Sequence, residues 1–231
     1  MTLHHLTITM SGLHGSEIHD AHAVIVSVVH HHNASHIMPD NKPDYQNRVA
    51  IAFPEYREGV ETDASKASSY GEEQRLVRAR KGFMGRVIRL FGEAHHLQSI
   101  LTHPDCAFLN DTPGIIVDTV SVVPQSVGCV AFQRRKGMTN ATPSRLRRAM
   151  ERQKIGKSLS NLTACQMERL FRNKQQAARK DSRFPNVSVW SVSNGSQFSV
   201  FIERTETDVL RFAPDGYGFS SNTEVCSLPV F

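Results

Sequence analysis

Twelve histidines are spread over the 231 residues, and four of them crowd into VVHHHNASH at residues 28–36. Unperturbed imidazole titrates near neutrality, so it serves there as general acid or base. It also ligates metals, for which two histidines on one helix face need i,i+3 or i,i+4 spacing. His19 with His22, and His32 with His36, meet that spacing. No HExxH and no Cys/His set with metal-ligand spacing occurs, so no functional metal is assigned. Most of the histidines read as surface or satisfied structural residues.

A second feature is a pair of hydroxyls. The stretch VSVWSVSNGSQFSVFIE, residues 187–203, alternates apolar and polar positions around Asn194-Gly195. One face reads Val187 and Val189, then Phe198, Val200 and Ile202, yet Ser191 and Ser193 interrupt it. A two-residue turn at Asn194-Gly195 pairs Ser193 with Ser196 and sets Ser191 opposite Phe198. Two hydroxyls beside an aromatic ring suit the stacking of a splayed-out base. The same pattern arises where Phe198 is simply core and the serines occupy a sheet edge.

The third feature is charge. The formal net charge of +5 conceals a net of −4 in residues 1–124 (10 Lys+Arg, 14 Asp+Glu) and +9 in residues 125–231 (17 against 8). Residues 134–183 hold 15 basic side chains opposed only by Glu151, Glu168 and Asp181. That excess suggests a polyanionic partner, most commonly nucleic acid. In SRLRRAMERQ, Arg145, Arg148 and Arg152 share a helix face distinct from the apolar Leu146, Ala149 and Met150. Arginine forks onto phosphates, so such a row suits an RNA groove.

The elements that must position these groups follow from periodicity. Residues 3–10 read as a strand, and residues 17–32 as a helix with Ile18, His22, Ile25 and Val29 on one stripe. Residues 48–53 and 86–92 read as strands, 93–103 as a helix stopped by Pro104, and 114–124 as a further strand. Residues 55–80 read as a polar surface insertion. The order β-α-β-β-α-β is the ferredoxin-like arrangement. After Pro124 come a strand over 128–135, a helix capped by Thr142-Pro143, a second helix over roughly 161–179, the hairpin and a tail. The fold expected is therefore α+β. It comprises a ferredoxin-like (RRM-like) domain over 1–124 and an α+β domain over 125–231 with an arginine-rich helix and a β-hairpin. Cys106, Cys129, Cys165 and Cys226 are far apart with no CxxC pair, which argues against a disulfide framework. No apolar run spans a bilayer and the N-terminus lacks a secretory pattern, so a cytoplasmic location is expected.

The pieces SRLRRAMERQ, FPNVSVWSVSNGSQFSVFIER and a YGFS tail ending in PVF resemble the CRISPR repeat-processing endoribonuclease of subtype I-F systems. HAVIVSVVHHH, RVAIAFPEY and RVIRLFGEAHHLQSILTHP continue the resemblance in order, so it spans nearly the whole chain. It implies binding to the stem-loop of the CRISPR repeat transcript and metal-independent cutting at the 3′ base of the stem, with no cofactor. The products implied are mature guide RNA with a 2′,3′-cyclic phosphate and a 5′-hydroxyl. The protein would be monomeric alone and would stay on its product as a subunit of a type I-F guide complex. The resemblance places the catalytic set on His30, Ser191 and Tyr217, base stacking on Phe198, and the arginine-rich helix on Arg145, Arg147, Arg148 and Arg152.

The proposed chemistry has the 2′-hydroxyl attack the adjacent phosphate, with His30 taking its proton and Ser191, assisted by Ser193, orienting the ribose. His31 and His32 are alternatives to His30, because the histidine run leaves the register open. Within FQRRKG, Gln133 to Lys136 are candidates to read the base pair above the cut; Arg134 and Lys136, on one strand face, are favoured. Two rival readings are a hairpin-binding subunit without cleavage, in a transposon-linked or degenerate system, and a generic RNA-binding protein.

Overall fold

The computed structural model describes residues 2–36, 38, 42–59, 69, 72, 82–125, 128–135, 183–190, 197–221 and 223–231. The chain divides into two compact units: Met1–Arg57 with Phe83–Arg134 and Asn186–Phe231, and Glu58–Gly82 with Arg135–Pro185. In the second unit, the Gly59 N–H donates to the Arg183 carbonyl at 2.8 Å. Arg135 and Arg183 lie 4.9 and 5.0 Å from the Phe184 ring centre.

The first unit begins with β1 (His4–Met10) and α1 (Gly15–Ser35), followed by a 3-10 turn at Tyr45–Asn47. Then come β2 (Ala50–Ala52), β3 (Val87–Gly92), α2 (Ala94–Leu101), α3 (Phe108–Asp111), β4 (Ile115–Val117) and β5 (Ser121–Val122). These strands form one antiparallel sheet in the order β2-β3-β1-β4, with β5 also on β1. Period-2 alternation turns Leu6, Ile8 and Met10 of β1 and Ile88 and Leu90 of β3 into the core, each 0 % exposed. The helical stripe read from sequence is buried as expected: Ile18, His22, Ile25 and Val29 all lie inside.

One strand expected over 114–124 is broken in two. Partners in β1 and β4 sum to 125 (Ile8 with Val117), whereas those in β1 and β5 sum to 126 (His5 with Ser121). One extra residue therefore sits between them, a β-bulge, which adds twist and leaves a poorer template for unwanted pairing.

A second sheet carries β6 (Gly128–Arg135), β7 (Asn186–Trp190), β8 (Gln197–Thr207) and β9 (Ser227–Val230), in the order β7-β8-β6-β9. Val187, Val189, Val200 and Ile202 join the same hydrophobic core as α1 and the first sheet. Here α1 packs against β7, and His19 reaches Ser188 at 3.4 Å. A helix with neighbours on several sides needs apolar residues on more than one stripe. That accounts for the buried Ala21, Val26 and Val28 outside the stripe read from sequence.

The hairpin register differs from the expectation. Val189 pairs with Phe198 and Trp190 with Gln197, so the pairing is displaced by two residues from an Asn194-Gly195 turn. Because strand side chains repeat every two residues, the slide keeps each side chain on its expected face. It changes only the partner: Phe198 lies across from Val189, not Ser191.

Candidate active site

The last turns of α1 face a loop in the C-terminal tail, and the loop is built around Asp215. Its Oδ1 accepts the Tyr217 and Phe219 N–H groups at 2.8 and 3.0 Å, and its Oδ2 accepts from Arg134 Nε at 2.7 Å. The Asp215 N–H donates to the Phe219 carbonyl, and the Gly218 N–H to the Asp215 carbonyl. Gly218 has φ +80°, and a Cβ there would come within 2.9 Å of the Val49 carbonyl oxygen. Only glycine fits that turn without strain. The loop is also tied to β2, where the Ile51 N–H donates to the Gly218 carbonyl at 2.9 Å.

Asn33, fully buried, joins helix to loop. Its amide N–H groups donate to the carbonyls of Val49 (2.8 Å) and Asp215 (3.3 Å), while its Oδ1 accepts the Val49 N–H at 2.8 Å. Arg48 Nη1 donates to the Pro214 carbonyl at 3.2 Å. The Asn33 amide, with both its donors and its oxygen engaged, holds one geometry, since any shift would strand a donor or acceptor.

On this scaffold Tyr217 is flanked by three of the side chains singled out from the sequence. The His30 imidazole stacks on its ring with centroids 3.8 Å apart and planes 3° apart. The Arg134 guanidinium carbon lies 4.3 Å from the ring centre. Phe198 meets the ring edge-on at 6.0 Å. His30 Nδ1 lies 2.8 Å from the Gly216 carbonyl oxygen. A carbonyl only accepts, so Nδ1 carries the hydrogen, and in the neutral ring the lone pair is on Nε2. Burial raises the Tyr217 phenol above its usual range, with Arg134 opposing in part, so the hydroxyl stays protonated at neutral pH.

The three adjacent histidines have different surroundings. His31 is exposed beside His103, on an open groove of about 740 Å³ that His19, Ser27, Ser188 and Trp190 also line. His32 faces away from the tail loop, towards His36 and His96. Burial and the neighbouring imidazoles lower its pKa to about 4. Only His30 touches Tyr217.

Ser191, Ser193, Lys136, Arg145, Arg147, Arg148 and Arg152 lie outside the described residues, as do both helices expected between 142 and 179. Arg134 has its Nε edge committed to Asp215, and so also acts as a brace for the loop. Sequence reasoning missed Asp215, Asn33 and Gly218. An Asp-Gly pair followed two residues later by another glycine marks a turn, but nothing local tells that the turn receives a helix.

No curated protein matches this chain. Residues 21–231 match the family described as CRISPR-associated protein (Cas_Csy4). That span takes in His30, Asn33, Arg134, Phe198, Asp215 and Tyr217 together. With a match over nearly its full length and a tail loop that gathers these groups on one helix end, the chain belongs to the Csy4 family of CRISPR-associated proteins, whose work is type I-F CRISPR RNA processing.

Proposed function

We propose that this protein is a metal-independent endoribonuclease that binds the stem-loop of CRISPR repeat RNA and cuts at the 3′ base of the stem. The observation that carries the reading is the His30 imidazole, held by the Gly216 carbonyl and the Tyr217 ring with Nε2 presented as a base. Nε2 takes the proton of the 2′-hydroxyl, whose oxygen attacks the adjacent phosphorus. The P–O5′ bond breaks as P–O2′ forms, leaving a 2′,3′-cyclic phosphate. The departing 5′-oxygen takes a proton from solvent to become a hydroxyl, and Nε2 returns its proton to solvent, so the step is proton-neutral. No water is consumed, and the substrate supplies its own nucleophile.

Ser191 orients the ribose so that attack is in line, with Ser193 assisting; alignment of this kind removes a large part of a barrier. Tyr217 holds the imidazole plane and completes the catalytic set. Phe198, half-buried beside Tyr217, stacks the base next to the cut. Arg134 and Lys136 read the closing base pair, and Arg145, Arg147, Arg148 and Arg152 follow the stem phosphates. The β-α-β-β-α-β order with β1 and β3 central supports a ferredoxin-like reading of the first sheet. The protein then stays on its product as the hairpin-end subunit of a type I-F guide complex.

The test is a repeat RNA carrying one 2′-deoxy nucleotide immediately upstream of the cut, incubated in EDTA beside its all-ribose counterpart. Cleavage of the ribose substrate alone is expected. Cutting of the deoxy substrate sinks the mechanism, and tight binding of both without cutting identifies a hairpin-binding subunit instead.

A further inference from the structure

On the side of α1 turned away from the tail loop, three imidazoles meet. His32 and His36 stand one helical turn apart at the end of α1, and His96 comes from α2. Their ring centroids are 4.5, 4.9 and 5.0 Å apart, and each ring offers a nitrogen to a set lying within 4.8 Å of one another.

In two of the rings the other nitrogen is already engaged with a carbonyl acceptor. His36 Nδ1 lies 2.8 Å from the His32 carbonyl oxygen, and His96 Nε2 lies 3.0 Å from Asn47 Oδ1. His32 Nε2 is buried with no partner. That leaves His36 Nε2, His96 Nδ1 and His32 Nε2 as lone pairs. A metal-binding histidine characteristically donates its other N–H to a carbonyl or carboxylate, which fixes the tautomer and aims the free nitrogen. His36 and His96 are arranged so. A buried imidazole nitrogen without a partner is otherwise unfavourable, because it has lost water and gained nothing.

We infer that His32, His36 and His96 form a binding site for one divalent ion of the zinc class, separate from the RNA-cutting residues. Three neutral imidazoles favour Zn²⁺, Co²⁺, Ni²⁺ or Cu²⁺ over Mg²⁺ and Ca²⁺, which prefer oxygen. Tetrahedral binding at about 2.0 Å sets ligand nitrogens roughly 3.3 Å apart. Small ring rotations of the three side chains close the difference. Three protein ligands leave a fourth position for water. A second group, Glu93, His95 and His96, shares His96. Its His95 is exposed and sits 3.6 Å from Glu93, so no buried, carbonyl-held pair of rings aims at that centre. The ion would tie the last turn of α1 to α2 and to the turn at Tyr45–Asn47, holding the helix end from which His30 and Asn33 project on the other side.

The experiment uses the untagged full chain, stripped with a chelator and titrated with Zn²⁺ by calorimetry and with Co²⁺ by visible absorption. One ion per chain is expected, with ligand-field bands for Co²⁺ and a Tm that rises with ion concentration. His36→Ala and His96→Gln are each expected to weaken binding by at least about 100-fold, more than loss of an outer partner costs. His95→Ala and His30→Ala should bind as the parent does. In case a variant unfolds, Co²⁺ added to the parent chain should shift the NMR signals of these three imidazoles most strongly. Absence of a one-to-one site, binding that survives His36→Ala, or binding lost with His95→Ala overturns the inference.

Discussion

The two sides of the end of α1 use the same residue type to opposite effect. At about 100° per residue, His32 and His36 lie about 40° apart and roughly 160° and 120° round the helix from His30, which faces the tail loop, with Asn33 between them. His30 has a ring to stack on and a carbonyl to bond, and stays half-buried. His32 has other imidazoles and an unpartnered buried nitrogen, and burial drives its pKa down to about 4. Two positions apart, one imidazole stacks on the tail loop and the other is held neutral by burial. Environment decides the role, since the side chains are identical.

The sharpest test of this contrast is His30→Ala beside His32→Ala. Loss of a general base costs about 10²- to 10⁴-fold in rate, so His30→Ala should lose cleavage in single-turnover assays by that factor while still binding the hairpin. His32→Ala should keep the cleavage rate within a few-fold. Equal losses would mean that the two sides do not divide the work.

Next in size is Asp215→Ala, which strips two N–H acceptor bonds and the Arg134 pair from the tail loop. With Arg134 partly screened by water, a loss of about 1.5–3 kcal/mol in denaturant unfolding is expected. Cleavage should fall with it, because Gly216 and Tyr217 no longer hold the imidazole. Unchanged stability would show that the loop is not braced there.

Acid should act on the buried histidines. Burial lowers His22 to about 3 and His32 to about 4, from 6.5. Between those values and 6.5 the unfolded chain binds protons that the native chain excludes. Their contribution is therefore complete above pH 6.5 and is lost as pH falls towards 4 and 3, by up to about 1.4 kcal/mol per pH unit for each group. His22 sits edge-on to Phe53 at 5.6 Å with an unpartnered Nε2, so His22→Leu should flatten the acid limb of a stability–pH curve. An identical limb would show that His22 is already protonated in the fold.

The smallest effect belongs to the stack itself. An aromatic pair contributes about 0.5–1.5 kcal/mol, so Tyr217→Leu should slow cleavage by about 2- to 10-fold. Tyr217→Phe should restore the rate if the ring plane is what matters. Failure of phenylalanine to rescue would assign the function to the phenol hydroxyl.

Local pattern carried the elements of the first sheet, the stripe of α1 and both faces of the hairpin, because side-chain period and burial are set by neighbours within a few residues. It also marked Phe198, whereas His30, Arg134 and Tyr217 became candidates through the resemblance to the I-F repeat-processing family. Local pattern did not reach the hairpin register, which slid by two without exposing a single core residue, so hydrophobic alternation had no means of choosing. The bulge between β4 and β5 escaped for a similar reason, since one extra residue on an edge strand leaves the composition unchanged.

By itself the sequence determined that an imidazole, an aromatic tail and a basic segment belong to one RNA-processing chain. Only the tertiary structure decided which of three consecutive histidines meets Tyr217, and that His96 joins His32 and His36. Those contacts join residues 186 positions apart in one case and 60 in the other (His30 with Gly216, His36 with His96). They depend on how a helix is rotated about its axis when its apolar faces are buried, a choice made by packing against distant elements and absent from any local window.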